Sequence, residues 1–218
     1  MSDLLIVTAV AAEADAVLAG LDGAPATVEP IGVGVAAAAA GTARLLTLAE
    51  AAGTPYRAVL SAGVAGGFPG HAEMGATVIG VRSIAADLGA ETPDGFVGIA
   101  EMGLGAGLVD ADAGLLRALA SALPGSVLAD ILTVATVTGT ATTAARLMAR
   151  YPAAAAEAME GYGVAIAAAA AGLPFAELRT VSNPIGPRDR GSWRLAAALA
   201  ALTNAAALIR IHDGGKLA

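Results

Sequence analysis

Leu4-Leu5-Ile6-Val7-Thr8-Ala9-Val10-Ala11-Ala12-Glu13 opens as a buried strand and passes within three residues into a helix that carries an acid in its first turn. An unbroken apolar run of this length suits a strand covered on both faces, and the Ala/Leu-rich segment from Ala12 to Gly20 reads as the helix that follows. The alternation continues outward from there. A strand near Val28 to Ile31 leads through Gly32-Val33-Gly34 into an alanine-rich helix ending near Gly53. Ala58 to Ser61 is the next strand and closes on the glycine loop Ala62-Gly63-Val64-Ala65-Gly66-Gly67. Thr77 to Val81 and Ile131 to Val137 extend the sheet, with helices over Ala111 to Ala122 and Thr142 to Arg150. An alanine-rich helix holds Met159 and Glu160, runs to about Ala171 and stops at Gly172-Leu173-Pro174; Phe175 to Val181 is then a strand, and Ser192 to Arg210 a final helix. This pattern predicts an α/β fold: one domain over residues 1–218, three layers α/β/α, a mostly parallel twisted central sheet, and a loose tail from about 212.

Composition narrows the function classes. Mean hydropathy is +0.71 and only 14% of residues are charged, yet much of the apolar count is alanine, a weak hydrophobe and a strong helix former. The longest uncharged stretches do not suit a membrane span: Gly161 to Ala176 is broken by Gly163, Gly172 and Pro174, and Leu195 to Ile209 is short and holds Asn204. Met1-Ser2-Asp3-Leu4 lacks the basic start of a signal peptide, so a cytoplasmic protein is expected. With no cysteine and two histidines, thiolate chemistry is excluded and neither a metal nor an organic cofactor is expected. A net charge of −7 argues against a nucleic-acid backbone as partner, which leaves a small molecule held locally.

In sheets of this kind ligands gather at the carboxyl ends of the strands, and polar or glycine-rich residues fall there repeatedly. Glu13 follows the first strand; it is either a carboxylate poised over the cleft or an acid placed to suit a helix dipole. The loops at Gly32-Val33-Gly34 and Gly63 to Gly67 allow close backbone approach, but no Gly-Lys-Ser/Thr follows either, so neither is a Walker loop. Glu160 sits among apolar residues, where a carboxylate calls for donors such as vicinal ribose hydroxyls. Asn183, 23 residues further on, stands at a strand end before Pro184, as a turn residue or as an amide that reads a purine.

Taken together, Glu13, Gly-Val-Gly, Gly-Val-Ala-Gly-Gly, Met159-Glu160 and Ser182-Asn183 resemble the nucleoside phosphorylase and nucleosidase superfamily over nearly the whole chain, especially the methylthioadenosine/adenosylhomocysteine nucleosidases. Thr180-Val181-Ser182-Asn183-Pro184-Ile185-Gly186-Pro187-Arg188-Asp189-Arg190 and Ala86-Asp87-Leu88-Gly89-Ala90-Glu91 are most similar to the futalosine hydrolase family, which cleaves a hypoxanthine nucleoside on a route to menaquinone. The resemblance implies that Glu13 deprotonates the attacking water and that Glu160, helped by the Met159 backbone, binds the ribose. It places Asn183 where the nucleosidases have an aspartate at the purine, with Ser182 and Gly66 beside it. Three departures stand out. Ala158 replaces an acid, Val137 takes the place of an aromatic that stacks on adenine, and the early β-hairpin between Leu21 and Pro30 is nearly absent. Phe68 and Arg188, with Arg190, are candidates for the 5′ substituent and its carboxylate. The resemblance also implies a homodimer.

The Asp-to-Asn exchange carries a chemical consequence. An aspartic acid can donate to N7 and accept from the 6-amino group of adenine. A 6-oxopurine instead needs a donor at O6 and an acceptor for N7–H, and asparagine supplies both. Phosphorolysis is the alternative reaction, but the glycine loops carry no basic residue for phosphate. A nucleoside-binding protein without catalysis would have no use for Glu13.

Overall fold

The structure is a computed structural model describing residues 4–213. Strand β1 (Leu4–Thr8) is followed by helix α1 (Ala11–Leu21), β2 (Thr27–Pro30) and α2 (Val35–Ala51). Next come β3 (Ala58–Gly67), β4 (Thr77–Ala85), the hairpin β5 (Gly89–Thr92) and β6 (Gly95–Gly98), and β7 (Leu108–Asp110). The chain continues through α3 (Ala113–Ala122), β8 (Val127–Thr133), α4 (Ala141–Arg150), β9 (Ala154–Ala158), α5 (Gly161–Ala170), β10 (Phe175–Pro184) and α6 (Leu195–Asp213). The last helix thus runs past Arg210, and the loose tail expected there falls, beyond Asp213, outside the described residues.

The main sheet has the order β10-β4-β8-β9-β3-β1-β2, with β7 on β4 and a further pairing of β10 with β3. That extra pairing closes β3, β10, β4, β8 and β9 into a circuit from which β1 and β2 extend. Five of its pairings are parallel; β10/β4, β3/β9 and β4/β7 are antiparallel. Strand β1 shows why the layers form. Leu4 and Ile6 face the cluster built with Val17 and Leu21 of α1, Leu119 of α3 and Leu202 of α6. Leu5 and Val7, on the opposite face, pack with Ala38 and Leu46 of α2 and Val164 of α5. Side chains alternate along a strand, so a wholly apolar strand needs helices on both sides.

Two segments differ from the sequence-based reading. Residues 62–67 are not a loop but the second half of β3. Residues 154–158 are not helical: they form β9, buried at every position between β8 and β3, and Glu160 stands just ahead of α5 instead of within a helix. Alanine's helix preference is worth only a fraction of a kcal/mol per residue, and burial in mid-sheet overrides it. Strand β8 also lies earlier than expected, at Val127–Thr133, which leaves residues 134–140 to a loop bearing Val137 and Thr138. No helix among the described residues is long and apolar enough to cross a membrane.

Candidate active site

The carboxyl ends of β1, β3, β9 and β10 are brought together by the β1/β3, β10/β3 and β3/β9 pairings. Glu13 occupies the third position of α1 and is 4% exposed. Its Oε2 accepts from the backbone N–H groups of Ala9 at 2.9 Å and Val10 at 3.2 Å, so the carboxylate caps its own helix. Its Oε1 turns to the sheet and accepts from Val64 N–H at 2.8 Å. Capping fixes the side chain, and the fixed side chain faces β3.

Gly63 makes room for that approach. A Cβ there would lie 2.6 Å from Glu13 Oε1 and 2.7 Å from Arg179 Nη1. Arg179 pairs with Gly63 in the β10/β3 register, and its guanidinium crosses the gap to donate to Ser61 Oγ at 3.0 Å. It is the one fully buried basic side chain among the described residues. Its Nε donates to Glu177 Oε1 at 2.9 Å and its Nη1 lies 3.6 Å from Glu160 Oε2. Glu160 in turn accepts from Gly34 N–H at 3.0 Å and from Met159 N–H at 3.2 Å. Gly34 sits at φ 95°, a conformation open to glycine, and so aims its N–H at the acid.

One guanidinium is thus shared by three carboxylates. Burial, opposed by Arg179, holds Glu177 above its ordinary value, and its Oε2 and Ser83 Oγ are both buried without a hydrogen bond. Arg179 is raised: its own burial opposes the charge, but Glu177, Glu160 and Glu13 together outweigh it.

Asn183 lines a pocket beside this cluster. The β10/β3 register shifts between Val181 and Asn183, so that Ser182 and Asn183 together oppose Gly66. The bulge re-aims the amide. Ser182 Oγ reaches Ala65 O at 3.2 Å and Asn183 Oδ1 at 2.8 Å, while Asn183 Nδ2 donates to Pro184 O at 3.1 Å. One lone pair on Oδ1 and one hydrogen on Nδ2 remain for a ligand. The pocket in front of them is lined by Gly66, Val137, Thr138, Glu157, Arg188 and Trp193 among others.

Residues 8–211 match the phosphorylase superfamily. A futalosine hydrolase of Streptomyces coelicolor is 53% identical over 177 residues, covering 80% of this chain and 74% of that protein. One from Acidothermus cellulolyticus is 44% identical over 221 residues, covering 94% of this chain and 89% of that protein. The chain belongs to the futalosine hydrolases of this superfamily. Among solved structures, a methylthioadenosine/adenosylhomocysteine nucleosidase of Colwellia psychrerythraea in complex with adenine superposes with TM-score 0.80 at 20% identity, covering 97% of this chain and 96% of that one. The futalosine hydrolase of Helicobacter pylori does so with TM-score 0.77 at 17% identity, covering 97% and 96%. At these identities the two structures speak for the fold alone.

Of the residues expected in a futalosine hydrolase site, the structure groups Glu13, Glu160 and the Met159 N–H around Arg179, and Asn183, Ser182, Gly66, Val137 and Arg188 around the neighbouring pocket. Phe68 is corrected. It is fully buried among Ile84, Leu132, Leu147 and Ile185, and packs the core instead of covering a ligand. Arg188 and Arg190 are exposed, with guanidinium carbons 5.7 and 6.0 Å from the centre of the Trp193 ring. Arg179, Glu177, Glu157 and Trp193 were missed. The available signal was charge inside apolar strands: Glu157 interrupts a row of alanines, and Glu177 and Arg179 interrupt Phe175 to Val181.

Proposed function

We propose that this protein hydrolyses the N-glycosidic bond of futalosine, releasing hypoxanthine. The observation that carries the reading is Glu13, held by three backbone N–H groups beside the Arg179–Glu160 pair, next to the pocket that Asn183 lines. In this reading Glu13 takes a proton from the attacking water. Arg179 orients Glu160, whose carboxylate accepts from ribose hydroxyls once a substrate enters. Asn183 accepts from N7–H and donates to O6 as the base departs.

The charge balance favours water over phosphate as nucleophile. A phosphorylase must stabilise an anion, yet the buried cation here is already matched by Glu177, Glu160 and Glu13. A phosphate would meet excess negative charge. With the proposal go a homodimer, supported by the family resemblance, a cytoplasmic location, and an aromatic carboxylate on the 5′ side contacted by Arg188.

Purified protein incubated with futalosine in phosphate-free buffer is expected to release hypoxanthine. A strict requirement for phosphate would make it a phosphorylase. Release of adenine from methylthioadenosine with futalosine untouched would make it an adenine nucleosidase, and binding of either compound without cleavage would remove the catalytic role of Glu13.

A further inference from the structure

We propose that Glu157 is a second base-reading residue, whose carboxylate accepts the ring N1–H of a 6-oxopurine and turns away a 6-aminopurine; this rests on the hydrolase reading above. Nothing in that reading uses Glu157, although it is 5% exposed and lines the pocket that Asn183 faces.

Register places the two residues across one ligand. Glu157 of β9 pairs with Gly66 of β3, and Gly66 pairs with Asn183 of β10. The row Glu157, Gly66, Asn183 spans two inter-strand steps, about 10 Å, with a glycine in the middle. A Cβ on Gly66 would lie 2.7 Å from Ile185 Cγ2 and 3.5 Å from Asn183 Nδ2, so glycine makes room for Ile185, which lines the pocket between the two side chains. A planar base of purine size fits that interval with one edge toward each side chain.

The hydrogen bonds of Glu157 decide what it can face. Thr138 N–H donates to Oε1 at 2.7 Å and Thr138 Oγ donates to Oε2. These bonds orient the carboxylate and leave it acceptor lone pairs only. A 6-oxopurine offers a donor at N1, whereas adenine offers a lone pair there, so one is accepted and the other repelled. Burial holds Glu157 above its ordinary value in spite of Thr138, and nearby Asp87 adds to the rise, so a further donor in the pocket stabilises the ionised form. Asn183 reads O6 and N7, and Glu157 reads the neighbouring N1, so the two together define the 6-oxo base.

The test measures binding of free bases by calorimetry, with hypoxanthine, adenine and 1-methylhypoxanthine against the unmodified protein, E157Q and E157A. Hypoxanthine is expected to bind the unmodified protein about 100-fold more tightly than either base lacking N1–H, since a buried acceptor left unpaired is costly. In E157A that preference should fall at least about tenfold, and in E157Q adenine should gain on hypoxanthine, because the amide can donate to N1. Equal binding of hypoxanthine and 1-methylhypoxanthine by the unmodified protein overturns the assignment without any variant having to fold. An unchanged preference in a folded E157A also overturns it. Either failure alongside hypoxanthine release from futalosine removes Glu157 alone, whereas absence of that release removes the hydrolase reading itself.

Discussion

Arg179 donates through Nε to Glu177 Oε1 at 2.9 Å, and both side chains are 1% exposed. The pair lies on one face of β10, two residues apart, behind the acids that meet the cleft. Its consequence is positional. With Nε committed to Glu177 and Nη2 to Ser61, the guanidinium plane is set, and Nη1 is left pointing between Glu160 and the Gly63 gap that Glu13 occupies. A planar fork with fixed donors can do this; a lysine ammonium cannot.

Glu177 is the acid in this cluster with a stability cost. Burial raises it above its ordinary value of 4.5, so the folded state holds its proton more readily than the unfolded chain. The stability it contributes is full below about pH 4.5 and is lost as pH rises through the higher folded value. Gln in its place can still accept from Arg179 and can donate to Ser83 without titrating. Urea unfolding of the unmodified protein and Glu177→Gln between pH 4 and pH 8 is expected to show the variant gaining on the parent as pH rises, by up to about 1.4 kcal/mol per pH unit within the titration interval. Parallel profiles would mean that Glu177 carries the same proton in both states.

Glu13→Gln preserves the shape of the side chain, keeps one acceptor oxygen for the Ala9, Val10 and Val64 N–H groups, and gives up the base. Turnover of futalosine is expected to fall by about 10²- to 10⁴-fold, while affinity for hypoxanthine changes little. Single-turnover kinetics and base binding on the same preparation separate the two effects. Unchanged turnover would leave Glu13 a helix-capping acid and nothing more.

Asn183→Asp exchanges the donor at O6 for an acceptor. The expected result is a fall in kcat/KM for futalosine of about 100-fold, the scale set by mispairing a buried polar group. Comparison with an adenine nucleoside shows whether the loss is specific to the base. If kcat/KM for futalosine is retained, Asn183 serves the bulge and does not read the purine.

Much of this arrangement was legible in the chain, and the rest was hidden for identifiable reasons. Leu4 to Thr8 could be read because four apolar residues in a row, Leu4 to Val7, have few other uses. Glu13, Glu160 and Asn183 stand beside turns, where short-range sequence signals are strongest. Glycine weakens strands, so the sequence alone ends β3 at Ser61, whereas in the fold Gly63 and Gly66 are set by partners on β10 more than a hundred residues away. Alanine in β9 advertised helix, and only its place between β8 and β3 makes it a strand. Arg179, Glu177 and Glu157 acquire their roles from register with Ser61, Gly63 and Gly66, which no local pattern encodes. Phe68 failed for the complementary reason: a lone aromatic beside a glycine segment gives no sign of which side it will face.

Gly161 offers a way to test that long-range logic. It is the first residue of α5, and a Cβ there would run into both carboxylate oxygens of Glu177. Neither residue hints at the other in the sequence, yet the contact makes glycine the only fit while Glu177 is present. Gly161→Ala is therefore expected to destabilise the protein by about 1–3 kcal/mol, the usual cost of overpacking. In a Glu177→Ala background the obstruction is gone, and what remains is the helix preference for alanine over glycine, worth up to about 1 kcal/mol in the opposite direction. The double-mutant cycle, measured by urea unfolding, should accordingly show the effect of Gly161→Ala changing sign. Additive effects would mean that α5 shifts to admit the methyl group, and that Glu177 does not dictate the residue at the start of the helix.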